Sequence, residues 1–287
     1  MKKFVSLVLA LILVCSLCAC GKKSTSSYLV EDGKLTVSLS PDFSPMEFVD
    51  TSKSGQDQYV GFDPTLAKFI ADELGLELVI KPMSFDACQA AVQSKNVDCS
   101  ISGFSYTPAR AENFLLSDYY YAGDNETKQT VVVLKENEGK YSKPEDFAGL
   151  TVGAQVASLQ FDLATEQLEP AGATIEVYTD IGTAVEALRT GKIDALAVAE
   201  GNGNAIIAGN DAVAMSGFWF EISAEAENNV ILINKDNQEL LTKINECLAK
   251  AYESGCYGDW YNAAKELAGI ETASEISYDD AGNVDAG

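Results

Sequence analysis

The chain has 287 residues, with 20 Lys and Arg against 43 Asp and Glu, no histidine and a formal net charge of −23. The lack of imidazole excludes Ser-His-Asp and Cys-His catalysis, histidine-ligated metals and a histidine pH switch, and so large an acidic excess argues against a nucleic-acid partner. With 47% hydrophobic residues, this length predicts one large or two modest domains.

In chain order, Lys2 and Lys3 precede a 14-residue apolar run from Phe4 to Leu17. The run is shorter than the ~20 residues a membrane-spanning helix needs, so residues 1–19 read as an export signal. The run ends in Leu17-Cys18-Ala19-Cys20, which is similar to the lipobox of bacterial lipoproteins. That resemblance makes Cys20 the expected lipidation site, with an ordinary cleavage near Ala19 as the alternative. Removing residues 1–19 takes two lysines with it and leaves a net charge of −25. Residues 20–33 are then the lipidated cysteine and a polar tether, and 271–287 an acidic tail with little to bury, expected to be disordered.

The body alternates short apolar strands with capped helices. Leu35–Leu39 is a predicted strand. Asp63-Pro64 supplies an N-cap and an N1 proline for a helix with Leu66, Phe69, Ile70 and Leu74 on one face, stopping at Gly75. Leu76–Lys81 is a strand, Ser84 caps a helix over Phe85–Ser94, and Val97–Ser102 is a third strand. Further on, Ser142 and Glu145 have capping-box spacing. Strands are predicted at Leu150–Gly153, Ile175–Tyr178 and Ile193–Val198, with helices at Leu159–Leu168 and Thr183–Arg189. This order is the signature of doubly wound parallel sheets. Ala91–Asp98 and Ala187–Asp194 match in pattern at an offset of 96, and Leu35-Thr-Val recurs as Leu150-Thr-Val. Two similar α/β lobes follow.

Asn229–Asn234 is strand-like, and helices are predicted over Asn237–Ser254 and Gly258–Leu267. They are too few for a core of their own, so they are expected to complete the first lobe, giving two crossings and a hinge. The predicted organisation is lobe 1 from 34–122 plus 226–270 and lobe 2 from 123–225. Of the body cysteines, Cys88 and Cys99 read as small buried hydrophobes, with a Cys88–Cys99 bridge as the alternative. No CxxC or other metal-ligand spacing is present, and no cofactor or metal is expected.

Six segments in order carry a resemblance: 40–48, 59–63, 98–110, 114–120, 150–153 and 191–195, among them Asp98-Cys-Ser-Ile-Ser-Gly-Phe-Ser-Tyr-Thr-Pro-Ala-Arg110. The chain resembles the type 3 extracellular solute-binding proteins, the polar amino-acid receptors of ABC importers. The resemblance implies a two-lobed periplasmic-binding-protein-like fold, type II, in which each lobe is a sheet flanked by helices. It implies capture of a small polar solute, an L-amino acid foremost, and delivery to permease and ATPase subunits. The protein is expected to be a monomer on the outer face of the cell membrane and not an enzyme. The alternatives are an enzyme on the same fold, similar to a cyclohexadienyl or arogenate dehydratase, and a ligand-sensing ectodomain.

Arg110 is the expected carboxylate ligand. It follows Thr107-Pro108 at the start of a short helix, where its planar fork adds to the positive end of the helix dipole. A solvent-exposed arginine paired with Glu112 or Asp118 is the alternative. The resemblance places Ser40, Ser102, Gly103 and Ser105 at the ligand, Phe43 and Phe85 around its side chain, and Gln155, Ser158 and Leu159 at a helix N-terminus of the second lobe. Tyr119, Tyr120 and Tyr121 are expected around the hinge, and Glu47 as a structural partner of the backbone. Many family members have aspartate where this chain has Ser40 and Ala199. Glu200, one residue on, is the expected replacement partner for the ligand's ammonium, with Asp42 as the weaker candidate.

Overall fold

The computed structural model describes residues 28–121, 123 and 128–270. The predicted signal, Cys20, most of the tether and the acidic tail lie outside the described residues.

Thirteen strands are seen among the described residues. The first sheet has the order β5-β1-β6-β13-β7, formed by β1 (Lys34–Leu39), β5 (Glu77–Pro82), β6 (Cys99–Ser100), β7 (Leu115–Leu116) and β13 (Leu232–Ile233). The second has the order β10-β9-β11-β8-β12, from β8 (Gln129–Leu134), β9 (Thr151–Gln155), β10 (Thr174–Tyr178), β11 (Ala195–Ala199) and β12 (Val213–Trp219). A small antiparallel meander, β2 (Asp42–Phe43), β3 (Glu47–Val49) and β4 (Tyr59–Val60), sits on the first lobe. The chain leaves the first sheet after β7 and returns to it at β13, so two crossings join the lobes.

The sheets are mixed, not parallel throughout. β1 runs parallel to β5 and β6, and β9 parallel to β10 and β11, as the strand-helix alternation requires. β13 and β8, the strands entered straight from a crossing, run antiparallel to their neighbours. A strand arriving from the other lobe has no helical crossover to fix its direction.

The eight helices of the described chain cover the two sheets. In lobe 1 they are α1 (Phe62–Leu74), α2 (Phe85–Gln93) and α3 (Pro108–Asn113). In lobe 2 they are α4 (Leu159–Gln167), α5 (Ile181–Arg189) and α6 (Glu200–Ala208), and α7 (Gln238–Ser254) and α8 (Tyr257–Leu267) return to lobe 1. α1 ends at Gly75, whose φ of 67° is the left-handed geometry glycine adopts without strain. Leu35, Val37, Phe62, Leu66, Ile70, Ile231 and Ile244 form one core between the first sheet, α1 and α7. Each such buried side chain contributes about 1.5–3 kcal/mol. Phe85, Cys88, Val92, Phe104 and Val230 pack on the opposite face, and lobe 2 likewise has a core on each face of its sheet.

The sequence repeat is a structural device. Asp98 accepts hydrogen bonds from Thr36 N (2.6 Å) and Thr36 Oγ1 (2.5 Å), while Asp194 accepts one from Thr151 N (2.8 Å). In both lobes the aspartate that ends the helix-strand turn pins the first strand of the sheet. The preceding turns also match, with Asn96 N donating to Ala91 O and Lys192 N to Ala187 O. Lys95 holds the left-handed φ (58°) that Gly191 holds (71°) in the other copy.

Two expectations about where turns and helices start need correction, and the Cys88–Cys99 bridge, the alternative reading, is set aside. The capping at 142–145 is shifted by one residue: Asp146, not Glu145, accepts from Ser142 N (2.9 Å) and Lys143 N (3.2 Å), and the element is a single 3-10 turn, Pro144–Phe147. The helix expected from Thr183 begins at Ile181, because Asp180 caps it by accepting from Thr183 N. Cys88 and Cys99 are free thiols, both buried among apolar neighbours.

Candidate functional site

Arg110 is held by local structure first. Thr107 caps α3 by accepting from Arg110 N (3.1 Å), which places the arginine in the first turn. Its side chain folds back, donating from Nη1 to Ser105 O at 2.6 Å. Its Cζ lies 5.2 Å from the Phe104 ring centre and 5.6 Å from that of Phe85, and the two rings stack 4.5 Å apart. Only 6% of Arg110 is exposed, so the alternative of a solvated surface arginine is set aside. Stacking fixes the plane of the guanidinium and leaves its edge for hydrogen bonds. That edge faces the second lobe, where Nη2 donates to Ala157 O at 3.1 Å.

Ala157 lies in the turn between β9 and α4 and has a φ of 61°. A residue with a Cβ in the left-handed region costs roughly 1–2 kcal/mol. The turn holds it there with Ser158, whose hydroxyl donates to Gln155 O (2.7 Å) and accepts from Phe161 N (3.1 Å) as the N-cap of α4. The strained carbonyl and the positive end of a nine-residue helix thus both meet Arg110.

On the first lobe, the turn after β6 is tied down from behind. Ser102 Oγ accepts from Ser40 N (2.9 Å) and donates to Glu47 Oε1 (2.6 Å). Gly103, with a φ of 53°, donates its N–H to Asp63 Oδ2 at 2.7 Å. Ser105 bridges Asn229 at the returning crossing, which couples the turn to the hinge.

Between the lobes lies a cavity of about 10 Å³ lined by Phe43, Phe85, Gly103, Ser105, Arg110, Gln155, Ser158, Leu159 and Gln160. This is room for about one water. A solute larger than that enters only when the lobes part. Eight of the eleven predicted ligand residues meet here. Ser102 and Ser40 are buried one layer back, where Ser40 Oγ donates to Asp42 Oδ1 at 2.8 Å. Glu200 does not line the cavity; it begins α6 and lies 3.5 Å from Lys128 Nζ.

One lining residue was not anticipated, and another residue has a role the sequence did not suggest. Gln160, beside Leu159, lines the cavity and donates to Gln129 Oε1 at 2.7 Å, but its sequence context carries no signal beyond the helix start. Asp42, expected only as the weaker candidate for the ammonium, also joins the lobes. Its Oδ2 accepts from Gln155 Nε2 (3.0 Å) and from Ile181 N (2.8 Å), the first residue of α5, so one carboxylate of lobe 1 clamps two elements of lobe 2. Burial pushes its carboxyl above the usual range, and the hydrogen bonds from Ile181 and Ser40 oppose that shift. Asn202 Nδ2 to Ser44 O (3.1 Å) adds a further bond across the lobes. A wider groove of about 660 Å³ opens beside this clamp, lined by Asp42, Ser44, Val185, Asn202 and Leu267 among others. It carries no fixed cation, since Arg189 on its wall is paired with Glu186.

Tyr120 and Tyr121 pack against Phe62, and Tyr121 and Tyr261 meet edge to face. A Cβ on Gly123 would lie 2.4 Å from the Tyr261 ring, so the first crossing passes this aromatic cluster only as glycine. Tyr119 is 49% exposed and stacks edge-on with Tyr106.

Among known proteins, the arginine-binding extracellular protein ArtP of Bacillus subtilis is 31% identical over 258 residues, covering 89% of this chain and 94% of its own. The L-cystine-binding protein TcyJ of Escherichia coli K12 is 26% identical over 229 residues, covering 78% and 80%. In structure, the amino-acid ABC transporter substrate-binding protein AbpA of Streptococcus pneumoniae, bound to L-arginine, superposes with a TM-score of 0.74 at 33% identity over 84% of this chain and 97% of its own. The family model of bacterial extracellular solute-binding proteins, family 3, matches residues 35–263. A buried arginine facing a helix N-terminus across two lobes, joined by two crossings and matched over this length, places the chain in family 3 of the bacterial extracellular solute-binding proteins.

Proposed function

We propose that the protein captures a free L-amino acid between its lobes and delivers it to the permease of an ABC importer, without covalent chemistry. The observation that carries this reading is Arg110, a buried guanidinium stacked on two rings whose outer edge faces the N-terminus of α4. A ligand carboxylate entering there replaces Ala157 O as acceptor and gains the N–H groups of Leu159 and Gln160 in the first turn of α4. Phe43 and Phe85 flank the side chain. The ammonium is assigned to the end of the cleft where Gln155 meets Asp42, because Glu200 is paired with Lys128 outside the cavity.

Lobes of residues 34–122 with 226–270 and of 123–225 turn about the two crossings, and the ligand favours closure because only the closed form brings both lobes to it. The protein acts as a monomer, tethered to the outer membrane face through a lipid on Cys20. No helix among the described residues is long and apolar enough to cross a membrane, in keeping with such an anchor.

The test is a thermal-shift screen of the refolded protein against the L-amino acids, with arginine, histidine and cystine first because relatives are named for them. At 100 times its dissociation constant a ligand stabilises by about 2.7 kcal/mol. A shift with one or a few amino acids is expected. No shift with any would overturn the reading.

A further inference from the structure

Behind the binding turn lie two acids that no ligand contact accounts for. Glu47 on β3 and Asp63 in the first turn of α1 both have no solvent exposure. Glu47 Oε1 accepts from Ser102, and Asp63 Oδ2 accepts from Gly103 N–H and from Tyr120 O–H (3.2 Å). Their other oxygens, Glu47 Oε2 and Asp63 Oδ1, receive no hydrogen from any described residue. The backbone sets the two acids side by side: Asp63 N donates to Met46 O, next to Glu47, at 2.9 Å, and the groups bonded to the two carboxyls, Ser102 and Gly103, are consecutive. Two buried carboxylates set this close repel and do not both ionise, whereas one proton carried on either orphan oxygen and donated to the other satisfies both.

We infer that Glu47 and Asp63 share a single proton at neutral pH, and that this acid–carboxylate pair is the positioning element of the ligand-binding turn 102–105. Through Ser102 it fixes the strand end at Ser40; through Gly103 it fixes the turn that carries Ser105, the acceptor for Arg110; through Tyr120 it reaches the crossing between lobes. The other titratable groups facing the pair are Asp42 on β2 and the Cys88 thiol on α2, and both raise the proton's hold on Glu47. Lys or Arg is absent from that set, so no cation competes with the proton.

Direction and cause agree with the geometry. Burial raises Glu47 well above the carboxylate range, with Asp63 adding to it, and burial raises Asp63 to about 7 against the hydrogen bonds it accepts. A carboxyl raised on folding contributes stability that is complete below its unfolded value and is lost as pH rises through its folded value. For Asp63 that window runs from about 4 to about 7, and each extra proton held by the folded state changes the folding constant about tenfold per pH unit.

The first experiment needs no ligand. In protein carrying 13C at the Asp and Glu carboxyls, NMR titration should show one Glu carboxyl still protonated at pH 7, lost in Glu47→Gln, and one Asp carboxyl titrating near neutrality, lost in Asp63→Asn. Full ionisation of every Glu and Asp at pH 7 would overturn the shared proton. The second rests on the proposed function and uses L-arginine, or whichever amino acid gives a thermal shift. Glu47→Leu takes the acceptor from the Ser102 hydroxyl and leaves Asp63 Oδ1 with no proton to share, and should weaken binding at least about tenfold, whereas Glu47→Gln, whose amide donates to Asp63 and accepts from Ser102, should recover most of the loss. Glu47→Gln should also flatten the dependence of melting temperature on pH between 4 and 7, which a merely space-filling role would not. Equal loss in the Gln and Leu variants would overturn the positioning role. If no amino acid binds the unmodified protein, the proposed function fails while the carboxyl titration still decides the proton.

Discussion

Asp42 predicts the largest effect of a single side chain on closure. Its carboxylate accepts two hydrogen bonds from lobe 2, at 3.0 Å from Gln155 and 2.8 Å from Ile181, and Asp42→Ala removes both while leaving lobe 1 packing nearly untouched. Hydrogen bonds to a charged group are worth roughly 1.5–3 kcal/mol each. The same burial that raises the Asp42 carboxyl records a desolvation cost that cancels part of this gain. The net loss on closing is therefore about 2 kcal/mol, or about 30-fold in the ratio of closed to open forms. Where the closed form is minor in the free protein, the affinity for ligand falls by that whole factor. The assay is a spin-label distance across the lobes, with and without amino acid, alongside calorimetric titration. Asp42→Asn keeps one acceptor and should lie between the wild type and Asp42→Ala. An unchanged distance distribution together with unchanged affinity in Asp42→Ala would refute the clamp.

Arg110→Ala should lower affinity at least about 100-fold, since a bidentate charge-assisted pair is lost, and Arg110→Lys should recover little because an ammonium cannot hold the planar fork over Phe85 and Phe104; calorimetry decides both. Gly61→Ala should destabilise the fold by about 2 kcal/mol or more, read as a lowered melting temperature, because Gly61 has a φ of 124° and an added Cβ would sit 2.4 Å from Met46 O. In protein beginning at Gly21, a thiol reagent should react first at half-buried Cys256. Cys88, whose thiol burial pushes up to about 12, should react only on unfolding; native-state labelling with mass mapping checks this.

The lobes and most of the site were legible because periodicity and caps are local. α1, α2 and α7 carry their apolar faces and stop signals in order, and the repeated Ser/Thr-x-x-x-Asp turn fixes a strand in each lobe by the same hydrogen bond. β8 and β12 were not read, although Thr-Val-Val-Val-Leu in β8 is a run suited to a strand buried on both faces. α6 went unread for a different reason. Its Gly201 and Gly203 argue against a helix, yet Met215 on β12 lies where a Cβ on Gly203 would be, 2.7 Å away, so close packing demands the residue that propensity disfavours. Asp42 was underweighted against Glu200 because its partners, Gln155 and Ile181, are more than a hundred residues away and belong to the other lobe.

The split between what was readable and what was not follows the chemistry each lobe brings to the cleft. Lobe 1 supplies side chains, Arg110 and the two phenylalanines, and holds them by rings, a cap and a buried acid pair; these are residue types, and a sequence displays them. Lobe 2 supplies backbone: the Ala157 carbonyl and the first N–H groups of α4, with Ser158 as their cap. Backbone groups leave their mark only on conformation, and the mark here is an alanine at φ 61° that no residue pattern announces. The Ala157 carbonyl aimed at Arg110 is a neutral acceptor, and a ligand carboxylate is a stronger one. Ala157→Gly tests whether lobe 2 contributes by backbone alone: the strain is held by the local turn in open and closed forms alike, so glycine relieves it without moving the carbonyl, and affinity by calorimetry should stay within about twofold, a larger loss refuting the backbone account.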